Sequence, residues 1–288
     1  MKDFVIVIDT NSDIPYEYAK GNKIPVFQMP YTIDGKEELY DLGENTDFEE
    51  FFTKLKNGSK AFTSTRSPYD IEQFFRAQLK KGTDILYIGF SSNLSAHFGL
   101  CESAKEILQK EFPDRKIVMI DTLRISSPLA LLIMEAVDMK KDGKSLEEIA
   151  KWLEKNKLRA QGWFSVDDLM YLKRGGRLSG AAAAFGTLLE VKPILILDDE
   201  GKISVHEKIK GKKKVVKYLE NEVEENIGKP SKSNIVILHA DSLDMATSLE
   251  AKLKEKNSYK KLWIQDIGPV IGCHTGPGVL AVCFIKKA

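Results

Sequence analysis

Cysteine is scarce in this chain. Only Cys101, Cys273 and Cys283 occur among 288 residues, and their odd number and scattered spacing exclude a disulfide framework and a Cys-x-x-Cys motif. Histidine is nearly as rare, with four residues. No His-Glu-x-x-His run or comparable cluster stands at ligand spacing, so no resident metal is expected. Charge of one sign is also missing: 43 Lys and Arg face 42 Asp and Glu, for a formal charge of +1. Such balance provides no global field to gather nucleic acid or an anionic membrane, although "KIKGKKK" at 208 to 214 forms a local cluster. No apolar run approaches the ~20 residues of a spanning helix, and no secretory signal stands ahead of the first apolar run. With unpaired thiols, these features lead to the expectation of a soluble cytoplasmic protein. The Gly-x-Gly-x-x-Gly turn, the P-loop and the Gly-x-Ser-x-Gly elbow are all missing, which removes the main support for dinucleotide, phosphate-cradle and hydrolase-superfold readings.

What the chain does have is a repeated local grammar. "FVIVID" at 4 to 9 reads as a buried strand whose polar end, Asp9 to Asp13, lies where ligands collect in α/β sheets. "IPVFQMPYTI" at 24 to 33 reads as a second apolar run. Thr46 then reads as the cap of a helix whose core face carries Phe48, Phe51, Phe52 and Leu55 at helical spacing. A polar loop, "FTSTRS", leads into an amphipathic helix ending at 82; "DILYIGF" at 84 to 90 and "KIVMIDT" at 116 to 122 each run into hydroxyl-rich turns and further helices, the last spanning Leu129 to Met139. Strand, polar turn and helix in succession predict a parallel sheet with crossover helices. All strand ends would then open on one crevice, where Thr63, Ser64, Ser91, Ser92, Ser95 and Ser126 can converge. Each of these hydroxyls has a structural alternative as a helix cap.

The pattern shifts after the capped helix at 145 to 158. A strand carrying Trp163 and Phe164, a basic glycine turn at 173 to 177, and a hairpin closed by Asp-Glu-Gly at 199 to 201 point to antiparallel pairing. Further strands at 234 to 240 and in "KLWIQDIG" complete a mixed α+β pattern. Two domains follow, 1–160 as an N-terminal α/β unit with a parallel sheet and 161–288 as a unit of mixed α+β character. Lys173, Arg174 and Arg177 suit a phosphate, but so short a cluster without interleaved aromatics does not argue for nucleic acid. Its structural alternative is a solvated turn before a helix capped by Ser179 and carrying the small face Ala181 to Ala184. His274 lies in "DIGPVIGCHTGPGVL", where glycines and prolines read as a rigid loop leading into a buried last strand. It is a ligand donor or a buried structural histidine, since catalysis would require a partner that the sequence does not display.

The ordered set "VIVIDTNSDIP", "FTSTRSPYD", "GFSSNLSAHF", "IDTLRISS", "LMYLKRGGRLSG", "LLEVKPILILDDEGKI" and "GPVIGCHTGPGVL" resembles the DegV family over almost the whole chain. That resemblance implies two α/β domains, an N-terminal three-layer α/β/α domain with a parallel sheet and a C-terminal α+β domain with a mixed sheet. It implies a fatty acid-binding protein without a cofactor, its long acyl chain in a buried tunnel between or within the domains and its carboxylate at the crevice. It also implies a role in phospholipid metabolism like that of the fatty acid-binding subunit of bacterial fatty acid kinase. Such a subunit presents the acid to a separate ATP-binding subunit for conversion to acyl phosphate, and allows a transient contact with a membrane surface. Carried over by motif, the head-group residues fall on Thr63 and Ser64, on Ser92 or Ser95 with Ser95 preferred, and on His274. Ser126 joins this ligand-binding set as a crevice hydroxyl, and Arg174 and Arg177 stand at the expected mouth. The family's arginine after the hairpin is here Lys210, a point charge in place of a bidentate fork. Its Gly-Thr-Tyr is replaced by Ala96, His97 and Phe98, which places His97 and Phe98 at the mouth or tunnel; its Gly-x-Gly is replaced by Pro128, Leu129 and Ala130. The rivals are an acyl hydrolase or transferase pairing Ser92 or Ser95 with His274, and a structural or regulatory protein without lipid.

Overall fold

The computed structural model describes residues 3–178 and 191–288. Ser179 and Ala181 to Ala184 lie outside the described residues. In chain order the first part runs β1 (Phe4–Asp9), α1 (Tyr16–Gly21), β2 (Val26–Phe27), β3 (Pro30–Ile33), β4 (Lys36–Leu39), α2 (Phe48–Lys56), β5 (Ala61–Thr63), α3 (Pro68–Leu79), β6 (Asp84–Gly89), α4 (His97–Glu111), β7 (Ile117–Asp121), α5 (Ser126–Lys141) and α6 (Leu146–Asn156). The second part runs β8 (Ala160–Ser165), α7 (Met170–Arg174), β9 (Val191–Leu197), β10 (Ile203–Lys210), α8 (Lys212–Asn226), β11 (Asn234–Ala240), α9 (Leu243–Lys256), β12 (Lys261–Asp266), α10 (Pro269–Thr275) and β13 (Val279–Ile285).

The architecture is the two-domain α/β arrangement expected from the sequence. A parallel sheet, β2-β1-β6-β7, stands in the first part, and a six-stranded mixed sheet, β10-β9-β8-β13-β11-β12, in the second. In the second sheet only β11 and β12 run parallel. β6 is buried along its whole length, as a parallel strand covered on both faces must be. Helix α5 is apolar almost all round because it is enclosed: it lies between the parallel sheet's 3-10 turn at Thr10–Ser12 and strands β8 and β13 of the other sheet. This helix packs against both halves. Among the described residues no helix is long and apolar enough to cross a membrane.

Three local readings change. The apolar run at 24 to 33 is divided: β2 pairs with β1, whereas β3 joins a separate antiparallel sheet, β4-β3-β5. The cap of α2 is Asp47, whose side chain accepts the Glu50 N–H at 2.8 Å, while the Thr46 hydroxyl donates to Asp41. Finally, the glycine-proline stretch around His274 is helical. Pro269 occupies the first turn of α10, where its missing N–H costs nothing, and Gly276 at φ +68° ends the helix.

The seam between the two halves is fastened by a buried cation. Arg124 is 1% exposed, and its guanidinium donates to the carbonyl oxygens of Leu123, Leu197, Asp198 and Leu158 at 2.9 to 3.4 Å. Leu197 and Asp198 lead into the β9–β10 turn, and Ser91 donates to Gly201 O of that turn at 2.9 Å. A Cβ at Gly201 would stand 2.3 Å from Ser91 Oγ, so glycine is required there. Ser91 therefore anchors the hairpin rather than opening on the crevice. Arg124→Leu will strand these acceptors and destabilise the fold by roughly 3 kcal/mol, measurable as a fall in the urea midpoint. An unchanged midpoint would show that the hairpin docks without the arginine.

Candidate functional site

The position of His274 follows from small residues on α10. A Cβ at Gly272 would stand 2.8 Å from the Phe51 ring, so glycine lets α10 lie directly on α2. The three-stranded sheet packs on the same helix through β3 and β5, and this brings Thr63, at the end of β5, to His274. Thr63 Oγ1 and His274 Nε2 are 2.8 Å apart, although 211 residues separate them in the chain.

His274 is held neutral. Burial, assisted by the positive charge of Arg177, pushes its pKa down to about 4. Nδ1 is buried without a hydrogen-bond partner among the described residues, and it faces Gly175 so closely that a Cβ there would stand 2.4 Å away. A proton on Nδ1 would be an unsatisfied buried donor, so the cheaper tautomer carries it on Nε2. In that state His274 donates to Thr63 Oγ1, and the Thr63 hydroxyl hydrogen is left to donate onward. Histidine and threonine form a two-step donor whose last member is Thr63.

That donor opens on a cavity between the two halves. Its polar end is formed by Thr63, Ser64, Ser95, Arg177, His274 and Thr275. Its walls are apolar, supplied by Leu238, Val279 and Ala281 of the mixed sheet and by Phe90, Ile125 and Pro128 of the first part. Ser95 Oγ accepts the His97 N–H at 3.2 Å, which leaves its own hydrogen available to the cavity. Arg177 is fixed by donating from Nε to Leu94 O at 3.1 Å and from its terminal nitrogen to Gly175 O. An acceptor at this end would meet hydroxyl donors and a cation, and its tail would meet hydrocarbon.

Besides Ser91, five residues proposed from the sequence do not line the cavity. Ser92 is exposed, with its N–H directed at Asp121 Oδ1, and Lys210 is exposed at the end of β10 opposite Val191. Arg174 is exposed and lies over the Tyr171 ring at 4.8 Å. His97 and Phe98 face the protein interior from the first turn of α4. The His97 ring stacks between Phe27 and Phe90 at 5.5 and 5.9 Å, and Phe98 stacks on Tyr87. His97 thus acts behind the wall, by supporting Phe90. Ser126 does line the cavity, but its hydroxyl is engaged at 2.6 Å by Asp13 Oδ2, to which it donates when Asp13 is ionised.

Asp13 was not singled out from the sequence beyond its place in a polar strand end. It is buried, accepts the Gly268 N–H at 3.2 Å as well as Ser126, and its pKa is pushed up to about 7 chiefly by desolvation. The serine-histidine enzyme reading finds no geometry: His274 Nε2 bonds Thr63, and no carboxylate orients Nδ1 among the described residues. No group of three or more His, Cys, Asp or Glu placed to hold a metal ion occurs among them either.

The comparisons agree with this architecture. The family model described as "Uncharacterised protein, DegV family" matches residues 3–287. A DegV domain-containing protein from Clostridium perfringens is 39% identical over 285 residues, covering 99% of this chain and 98% of that one. Among solved structures, a fatty acid-binding DegV family protein from Thermus thermophilus is 27% identical with a TM-score of 0.88, each chain covered in full. DegV from Bacillus subtilis, described as a fatty acid binding protein, is likewise 27% identical over the full length of both chains, with a TM-score of 0.86.

Proposed function

Because the chain belongs to the DegV family, we propose that it binds a long-chain fatty acid, with the carboxylate at the Thr63–His274 end of the cavity and the tail between its apolar walls. The observation that carries this reading is the cavity's own polarity: hydroxyls, a neutral imidazole and Arg177 meet at the Thr63–His274 pair, and most of the remaining wall is hydrocarbon. A carboxylate entering a desolvated crevice needs several donors, and these residues supply them. The fatty acid-binding relatives support the same chemistry. In this reading the protein is a cytoplasmic carrier that performs no chemistry itself. It presents the carboxylate to an ATP-binding kinase subunit for acyl phosphate formation, and meets a membrane surface only while exchanging ligand.

Mass spectrometry of lipid extracted from the gently purified protein tests the reading, with a long-chain fatty acid as the expected result. No acyl ligand after expression, together with no uptake of added fatty acid, would sink it. Thr63→Ala removes the terminal donor to the carboxylate and is expected to weaken binding about tenfold to a hundredfold, the worth of one hydrogen bond to a charged group. Displacement of a fluorescent fatty acid measures this. Equal affinity in the variant would place the carboxylate elsewhere. Kinase presentation has its own check: acyl phosphate formed by an ATP-binding subunit only when the loaded protein is added.

A further inference from the structure

The proposed head group uses one end of the cavity, but the wall is polar at a second place. Asn11 and Ser126 both line it, at 3% and 7% exposure. Asn11 is fixed by Asp9, whose Oδ1 accepts both the Asn11 backbone N–H at 2.8 Å and Nδ2 at 2.7 Å. Asp9 Oδ2 accepts the Tyr87 hydroxyl at 2.7 Å, so the carboxylate is locked in turn. A carboxylate accepts and does not donate, so the amide must turn its NH2 toward Asp9 and its Oδ1 away. That oxygen accepts no hydrogen bond among the described residues and keeps some accessible surface. When Asp13 is ionised, Ser126 has spent its hydrogen on that carboxylate and likewise offers only lone pairs. Two acceptors without a donor therefore face a cavity otherwise built for methylenes.

Their distance from the head group can be read along α10. Its N-cap, Gly268, touches Asp13, the partner of Ser126, and His274, six residues later, touches Thr63. Six residues of helix rise about 9 Å. Several methylenes of an acyl chain fit between the two polar places.

We infer that Asn11 Oδ1 and Ser126 Oγ form a second subsite partway along the tunnel, and that it selects long-chain fatty acids carrying a hydroxyl group in mid-chain. The inference rests on the fatty-acid reading above and names the substrate class within it. An unsubstituted chain lays hydrocarbon against both acceptors, whereas a hydroxyl donates to one of them and replaces the water that would otherwise fill the gap.

The test is competition binding to the delipidated full chain, using octadecanoic acid and a series of hydroxyoctadecanoic acids with the hydroxyl moved carbon by carbon. One position, or two adjacent ones, should bind about tenfold tighter than the unsubstituted acid, the worth of one buried hydrogen bond. Asn11→Leu and Ser126→Gly should each bring that ratio toward one. Ser126 sits at φ +57°, which glycine adopts without strain, so this variant keeps the test readable even if Asn11→Leu fails to fold. A flat series with octadecanoic acid still bound overturns the subsite alone, as does a preference that survives both substitutions. Failure of every acid to bind overturns the fatty-acid reading with it.

Discussion

Replacing Ala281 with phenylalanine will abolish fatty-acid uptake while leaving the chain folded. Ala281 is 3% exposed, lies on β13 between its partners Phe164 on β8 and Leu238 on β11, and lines the apolar part of the cavity. A ring there occupies the path of the tail. The tail matters more than the head for affinity. Each buried methylene contributes about 0.8 kcal/mol, so roughly a dozen contribute about 10 kcal/mol before ordering costs, against about 1.5–3 kcal/mol for one hydrogen bond to the carboxylate. Thr63→Ala is therefore a weakening, and Ala281→Phe a loss. Lipid extraction and mass spectrometry read the result, and the thermal midpoint checks the fold; the smaller Ala281→Val should shift the recovered acids toward shorter chains. Recovery of the full-length acid from Ala281→Phe would mean that the tail runs elsewhere.

What could be read from the sequence depended on how local the physics was. "FVIVID", "DILYIG" and "NIVILHA" are uninterrupted apolar runs, and the strands β1, β6 and β11 fall on them. β2 and β5 are two and three residues long, too short to show periodicity, and they exist through their pairing with β1 and β3. The helix bearing His274 carried a start signal in Pro269, outweighed by four glycines that in fact permit close packing and a helix stop. The motifs brought Thr63, Ser95 and His274 to one cavity, but direction was not legible. Whether the Ser126 hydroxyl points at a ligand or at Asp13 depends on a tertiary approach between residues 113 apart. Arg124 shows the same limit, for a cation buried among carbonyl oxygens has no sequence signature distinct from a solvated one.

Between pH 4 and pH 7 the native protein should lose stability relative to Asp13→Asn as the solution becomes more alkaline. Asp13 is 1% exposed and titrates at about 7 in the fold against 3.8 when free. Desolvation is the largest cause and the nearby charge of Asp9 adds to it, whereas donors from Ser126, Gly268 and Tyr40 oppose it. At this site the folded chain keeps a proton that the unfolded chain releases above pH 4, so the contribution of Asp13 to stability falls with rising pH. The contribution is fully present below the unfolded value and lost as pH rises through about 7. A shift of about three units corresponds to roughly 4 kcal/mol. Asparagine keeps the shape and cannot ionise, so urea unfolding of the two proteins across this range should give curves that converge near pH 4 and separate toward pH 8, with the variant more stable there. Parallel curves would show that Asp13 ionises normally. The loss would fall on the seam itself, since Asp13 accepts from Gly268 in the second half and from Ser126 on the cavity wall.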